Sequence, residues 1–435
     1  MMIQVSILLT LVLLTYHFSN AEGEYAPFPI WLEKNLEWKD QGKLSNTEFL
    51  DGINWLIEKG VLEIPKEPPK YKTNNKILEI KENWEETFAP KIIKECEKDS
   101  RCAAVELQKL VNNKIHNNSI LKTYYDLFDY YKRIQFSCHG SSHDLSEFFY
   151  GYLQNVTLAL EYNDPLDCGG GNYHAIVYSH LESQVILNGK DSSNVDISTI
   201  CPNDPENEPT ISRWECIHGV GHGLSKINNF DIFPSLERCE EFENDWERVS
   251  CSKGLFMENI GNYYKTGEGT ISKNDLFFPC NQLEQKLSPP CYHYQARHLY
   301  NQNGKNFESA FVECEKAPKG FEKYCYRGLG NKMGINVHNN SDFAKICLNV
   351  KPEFQEFCFL GIAMKYADNR SIKEALEFCE IIPEEFKGSC FGEVGKWIKM
   401  VYEKPYEKLQ ACLVSNNLKY FDACIGANFA GLPIL

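Results

Sequence analysis

The chain has 435 residues, 43% of them hydrophobic and 13% aromatic, and a formal net charge of −15. Such a surface repels nucleic acid and anionic membranes, which argues against either as a partner, and the apolar content argues against a disordered chain. The length exceeds that of one ordinary domain.

The first 21 residues, MMIQVSILLTLVLLTYHFSNA, read as a secretory signal peptide. The apolar run from Val5 to Tyr16 is too short to span a bilayer, and Ser19-Asn20-Ala21 offers small residues for cleavage. A basic start is missing, so an uncleaved anchor is the alternative, and no later segment is apolar enough to cross a membrane. The expected location is secreted or extracytoplasmic. All 18 cysteines follow the signal, an even number that favours disulfides over reduced thiols. Asn117, Asn155, Asn339 and Asn369 stand in glycosylation sequons, so a glycoprotein is expected.

Residues 28–65 form a small two-helix module. Ser45 and Glu48 make a capping box; Phe49, Ile53 and Ile57 share a helical face; Gly60 is a helix stop. Trp31, Trp38 and Trp55 provide aromatic bulk. With Asn35, Gly42-Lys-Leu-Ser45 and Gly52-Ile-Asn-Trp-Leu-Ile57, the stretch from Trp31 to Pro65 resembles a helical module that recurs in exported proteins of ammonia-oxidising archaea. The resemblance implies no activity. Residues 66–90, rich in Pro and Lys at their start, are expected to be a linker with a connecting helix.

Residues 91–235 hold most of the histidines, of which the chain has only 11. Cys96, Cys102, Cys138 and Cys168 allow three pairings, all open at this point. Cys201 and Cys216 read as a loose first copy of a repeat that becomes regular in residues 236–435. There the pairs are 239/251, 280/291, 314/325, 347/358, 379/390 and 412/424, each 11 or 12 apart. The first members of the last four pairs recur every 32 or 33 residues, the length of one helical hairpin. In IKEALEFCEIIPEEFKGSCFGEVGKWI, one helix runs into Cys379, Pro383 breaks it, and a second helix carries Cys390. The second helices repeat Cys-x-x-Gly, at Cys216-Ile-His-Gly219, Cys251-Ser-Lys-Gly254, Cys325-Tyr-Arg-Gly328 and Cys358-Phe-Leu-Gly361. A recurrent glycine inside a helix points to close backbone approach between neighbours. The expected fold is all-α: a right-handed, disulfide-stapled helical-hairpin solenoid with tetratricopeptide-like repeats, behind the small module.

Counted from the cysteine of each second helix, His218 and His293 fall at plus two, and His174, His222 and Met257 at plus six. These positions share one helix face, so stacked hairpins would align them in one strip. His139 and His143 form a second pair four apart, one unit earlier. Two such pairs on stacked helices are the expected ligands of a transition metal: His139, His143, His174, His218, His222, Met257 and His293. Imidazole suits zinc, copper or iron, and the Met257 thioether would tilt the choice to copper. Glu258 and Asp144 are candidates for oxygen ligands, imidazole partners or a general base. Repeats beyond residue 300 lack these histidines, carrying Arg327, Asn331, Leu360 and Met364 instead, and are expected only to extend and cap the stack.

With CIHGVGHGL, WERVSCSKGLFMENI and the Cys-x-x-Gly hairpins, residues 138 to about 400 resemble an uncharacterised class of exported proteins, which brings no established reaction. The hairpins are also similar to secreted, cysteine-stapled relatives of tetratricopeptide arrays, whose usual role is binding. Three readings follow: a metal-dependent enzyme, a metal carrier, or a metal-free extracellular scaffold that recognises a protein or glycan. Metal binding is preferred. The partner would be a small molecule or an extracellular protein.

Overall fold

The computed structural model describes residues 30–69, 75–134, 138–187, 195–202, 209–336, 340–368, 372–415 and 417–427. The expected signal segment and the sequons at Asn339 and Asn369 lie outside them. The chain divides into two compact units, 1–55 and 56–435.

In the first unit, α1 (Ile30–Asp40) is followed by α2 (Asn46–Glu58), which carries on into the second unit. The capping box forms as expected. The Glu48 amide donates to Ser45 Oγ (3.2 Å), and the Ser45 amide donates to Glu48 Oε2 (3.0 Å). Phe49 and Ile53 are buried, but the next buried residue is Leu56, with Ile57 only half-buried. A 3.6-residue period selects i, i+4 and i+7. The helix stops at Gly60, which takes a positive φ of 66°.

Among its described residues, the second unit is built of helices joined by turns and loops, with no strand. It runs through α3 (Asn75–Asn83), α4 (Ala89–Cys96), α5 (Ser100–Asn112), α6 (Asn117–Ile134), α7 (His139–Leu153) and α8 (Val156–Glu161). Next come α9 (Gly171–Leu187), α10 (Ile211–Ile227), α11 (Ile232–Cys239), α12 (Asp245–Thr266), α13 (Ser288–Gln302) and α14 (Phe307–Cys314). The chain continues with α15 (Glu322–Asn336), α16 (Asn340–Leu348), α17 (Pro352–Asp368), α18 (Ile372–Ile381), α19 (Glu384–Val401), α20 (Pro405–Leu413) and α21 (Phe421–Ile425). Among the described residues, no helix is long and apolar enough to cross a membrane.

All 18 cysteines pair, in nine disulfides. The seven pairs expected from spacing form, and the open question resolves as Cys96–Cys102 and Cys138–Cys168. In the pairs Cys239–Cys251, Cys314–Cys325, Cys347–Cys358 and Cys379–Cys390, the first cysteine lies in the last turn of a short helix and the second in the first two turns of a longer one. Cys379 of α18 and Cys390 of α19 are joined in this way across Pro383, which N-caps α19. Each such 11- or 12-residue closure is worth about 2–4 kcal/mol through the unfolded chain.

The longer helices α7, α9, α10, α12, α13, α15, α17 and α19 stack in series, each against the next. Glycine sets how closely they approach. A methyl group on Gly254 would overlap the His218 carbonyl, one on Gly328 the His293 carbonyl, and one on Gly361 the Arg327 carbonyl. In the reverse direction, Gly221 meets the Cys251 carbonyl and Gly330 that of Cys358. The backbones of the plus-two residues His218, His293 and Arg327 are therefore held against the next helix, which sets the plus-two positions in one row along the stack.

The row curves back on itself. Seen from Gly169, in the turn before α9, the Asp368 carboxylate at the end of α17 and His139 Nδ1 of α7 both lie 3.8 Å from where a Cβ would stand. The expected linker is tied down rather than loose: Glu67 pairs with Lys373 of α18, and the Tyr402 hydroxyl donates to the Pro69 carbonyl (2.9 Å). Polar side chains on the inner face of this curve are therefore buried.

Candidate metal centre

Five imidazoles converge where α7, α9 and α10 meet. Ring centroids are 4.6 Å apart for His139–His143, 5.1 Å for His139–His174, 4.6 Å for His174–His218, 4.8 Å for His174–His222 and 5.7 Å for His143–His222. The backbone explains how they meet. Cys168, Gly169 and Gly170 all have positive φ, so the chain turns sharply into α9 and places His174 opposite His139. On α10, Gly219 packs against the backbone of Tyr173 and His174, bringing His218 and His222 under the same ring.

Each of these rings leaves a buried nitrogen without a partner: Nε2 of His139, His143, His218 and His222, and Nδ1 of His174. An unsatisfied buried polar atom costs about 1–3 kcal/mol, so five in one cluster is a large penalty. In three rings the opposite nitrogen faces an oxygen. His139 Nδ1 is 2.9 Å from the Cys168 carbonyl, His174 Nε2 is 2.8 Å from Glu215 Oε2, and His222 Nδ1 is 2.7 Å from Glu258 Oε2. An N–H donated outward to oxygen leaves a lone pair directed inward, the arrangement that orients metal-bound histidines. The same three, His139, His174 and His222, bring ligand nitrogens within 4.8 Å of one another, a group that could hold a metal ion. Nitrogens bound to zinc at ~2.0–2.1 Å sit roughly 3.3 Å apart, so the widest pair must close by about 1.5 Å, within reach of small side-chain rotations.

Burial dominates the electrostatics. It holds the His139 imidazole down to about 4, and those of His143, His174 and His218 well below their usual range; neighbouring rings push the same way. Burial also drives the Glu215 carboxyl well up. Glu258 shares the burial, but the hydrogen bond from His222 and the attraction of His222 and Lys226 together outweigh it and leave the carboxyl below its usual range. Neutral imidazoles are the form that binds metal.

Met257 is half-buried on α12, directly before Glu258, whose carboxylate faces His222. Two other expected residues have their contacts elsewhere. Asp144 accepts from Ser100 Oγ (2.6 Å) and lies 3.5 Å from Arg101 Nε, so its contacts run to α5. His293 is buried on α13 among the cations Lys253, Arg327 and Lys365, which lower its basicity after burial itself. Three cations are a poor setting for a metal ligand. The later repeats do more than cap the stack, because Arg327 reaches inward to Glu393. Glu215 escaped the sequence reading although it immediately precedes Cys216. It fits inside because Gly170 has no side chain: a methyl group there would overlap its carboxylate.

Fold and cluster together define a disulfide-stapled helical solenoid with a buried polyhistidine centre. No family model, curated protein or solved structure matches the chain, so its function is argued from the geometry.

Proposed function

We propose that this is an exported metalloprotein that binds a first-row transition ion through His139 Nε2, His174 Nδ1 and His222 Nε2. The observation that carries the reading is the outward hydrogen bonding of these three rings, to the Cys168 carbonyl, Glu215 and Glu258, with their inner nitrogens buried and unpaired. His143 and His218 stand beside them as further ligands, each also with an unpaired Nε2. An imidazole set with carboxylates behind it suits zinc or copper, with iron next. The nine disulfides fit an oxidising, extracytoplasmic compartment.

The test is elemental analysis of the oxidised protein beside a His139→Ala/His174→Ala/His222→Ala variant. One equivalent of zinc, copper or iron in the parent, absent from the variant, supports the reading. A parent that stays metal-free after reconstitution with each ion refutes it, and leaves the recognition scaffold as the better description.

A further inference from the structure

Beyond the imidazole cluster, the plus-two row continues along the inner face as His218, Lys253, His293 and Arg327, on α10, α12, α13 and α15. The last three have 6%, 3% and 7% of their surfaces exposed, so each is more than nine-tenths buried. Their polar atoms are poorly met. His293 Nδ1 and Arg327 Nε are buried with no hydrogen-bond partner. Lys253 Nζ lies 5.1 Å from the centre of the Trp214 ring, and among the described residues no carboxylate comes within salt-bridge distance of it. Arg327 does pair with Glu393, but Glu393 is also held by Lys396 at 2.9 Å. Arg327 and Lys396 thus share one carboxylate, and Lys253 feels it only at longer range. The other nearby acids are engaged, Asp368 by Lys365 and Glu215 by His174.

An uncompensated buried ammonium beside a half-paired guanidinium is costly unless an anion neutralises it. The chain as a whole carries −15, so attraction by the overall charge does not explain a local surplus of cations. Burial, and then the Arg327 guanidinium, hold the Lys253 ammonium down to about 8, against the opposing pull of Glu393, Asp368 and Glu215.

We propose that Lys253, His293 and Arg327 form a binding site for an oxyanion, the carboxylate or phosphate group of a small molecule. Lys253 supplies the charge, Arg327 Nε an oriented N–H, and His293 Nδ1 a neutral hydrogen-bonding edge. The row places this site one helix along from His218, so a ligand anchored by its anionic end extends towards the histidine cluster. The site stands whether or not that cluster holds a metal.

Binding is measured by calorimetric titration and by thermal shift on the full chain after metal removal, with sodium phosphate and sodium succinate as probes and sodium chloride holding ionic strength constant. One or both anions should bind saturably and raise the melting temperature, and the preferred one identifies the group. Lys253→Met and Arg327→Met should each weaken binding at least about tenfold, whereas Arg327→Lys should retain part of it. Lys253→Met removes a buried charge and is expected to fold; His293→Gln provides a second folded variant with weakened binding. The His139→Ala/His174→Ala/His222→Ala variant should bind the anion as the parent does, which separates this site from the metal reading. No saturable binding of either anion up to about 10 mM, enough to fill a site with Kd about 1 mM, overturns the proposal. So does equal binding by the parent, Lys253→Met and Arg327→Met.

Discussion

Replacing Glu215 by glutamine separates a metal-orienting carboxylate from one that merely fills space. In the metal-free protein, burial pushes the Glu215 carboxyl up and the His174 imidazole down, so the expected form of the pair is neutral, with one proton on the carboxyl and one on the ring. A cation at His174 Nδ1 needs that ring nitrogen bare. The remaining proton must then sit on Nε2, facing an ionised Glu215 across the 2.8 Å contact. Metal binding therefore releases about one proton from this pair. Glutamine keeps an oxygen that accepts from Nε2–H, so His174 Nδ1 is already bare and that proton is no longer released. The carboxylate's charge is also lost, which should weaken metal affinity by about 10–100-fold, or about 1.4–2.7 kcal/mol. Stability of the metal-free form should change by less than about 1 kcal/mol, because a buried acid is exchanged for a neutral group of the same shape. Calorimetry in buffers of different ionisation enthalpy gives affinity and proton release together. Unchanged affinity, or unchanged proton release, would refute the argument.

Acid should unfold the metal-free protein early. His139 is held at about 4 in the fold against 6.5 when free, so on acidification the unfolded chain takes up the proton first. Its stabilising contribution is complete above about pH 6.5 and is lost as pH falls towards 4; at 1.36 kcal/mol per unit this is about 3 kcal/mol. His143, His174, His218 and His293 shift in the same direction, so denaturant midpoints should fall steeply over that window, and a midpoint unchanged from pH 7 to 5 would contradict it. Gly221→Ala should destabilise by about 1–3 kcal/mol, since its methyl group overlaps the Cys251 carbonyl of the next helix; Gly261→Ala, with nothing within 4 Å, should stabilise by up to about 1 kcal/mol. Thermal melts of the two variants should move in opposite directions. Replacing Cys379 and Cys390 by serine should cost about 2–4 kcal/mol, read by urea denaturation, because the hairpin loses its closure.

Cysteine spacing carried much of the architecture, because a staple between adjacent helices is local in sequence and its period is the period of the fold. The same register brought out His174, His218 and His222, since plus two and plus six are adjacent on a helix whatever lies around it. His139 and His143 showed themselves by their own four-residue spacing. Glu215 and Lys253 were hidden for the opposite reason. A lone carboxylate or ammonium on a helix reads as a solvated face, and only the curvature that brings α17 round to α7, with the gap left by Gly170, turns those positions inward. Cys96, Cys102, Cys138 and Cys168 precede the regular repeat, so no period chose among their pairings.

The most direct test of the central claim is anomalous diffraction from crystals of the protein grown with zinc or copper, recorded on both sides of the metal absorption edge. A single strong peak about 2.0–2.1 Å from His139 Nε2, His174 Nδ1 and His222 Nε2, with Glu215 and Glu258 still hydrogen-bonded behind their rings, is the predicted result. Stoichiometric metal whose peak lies away from these three nitrogens, or no peak in a protein saturated with the ion, would contradict it.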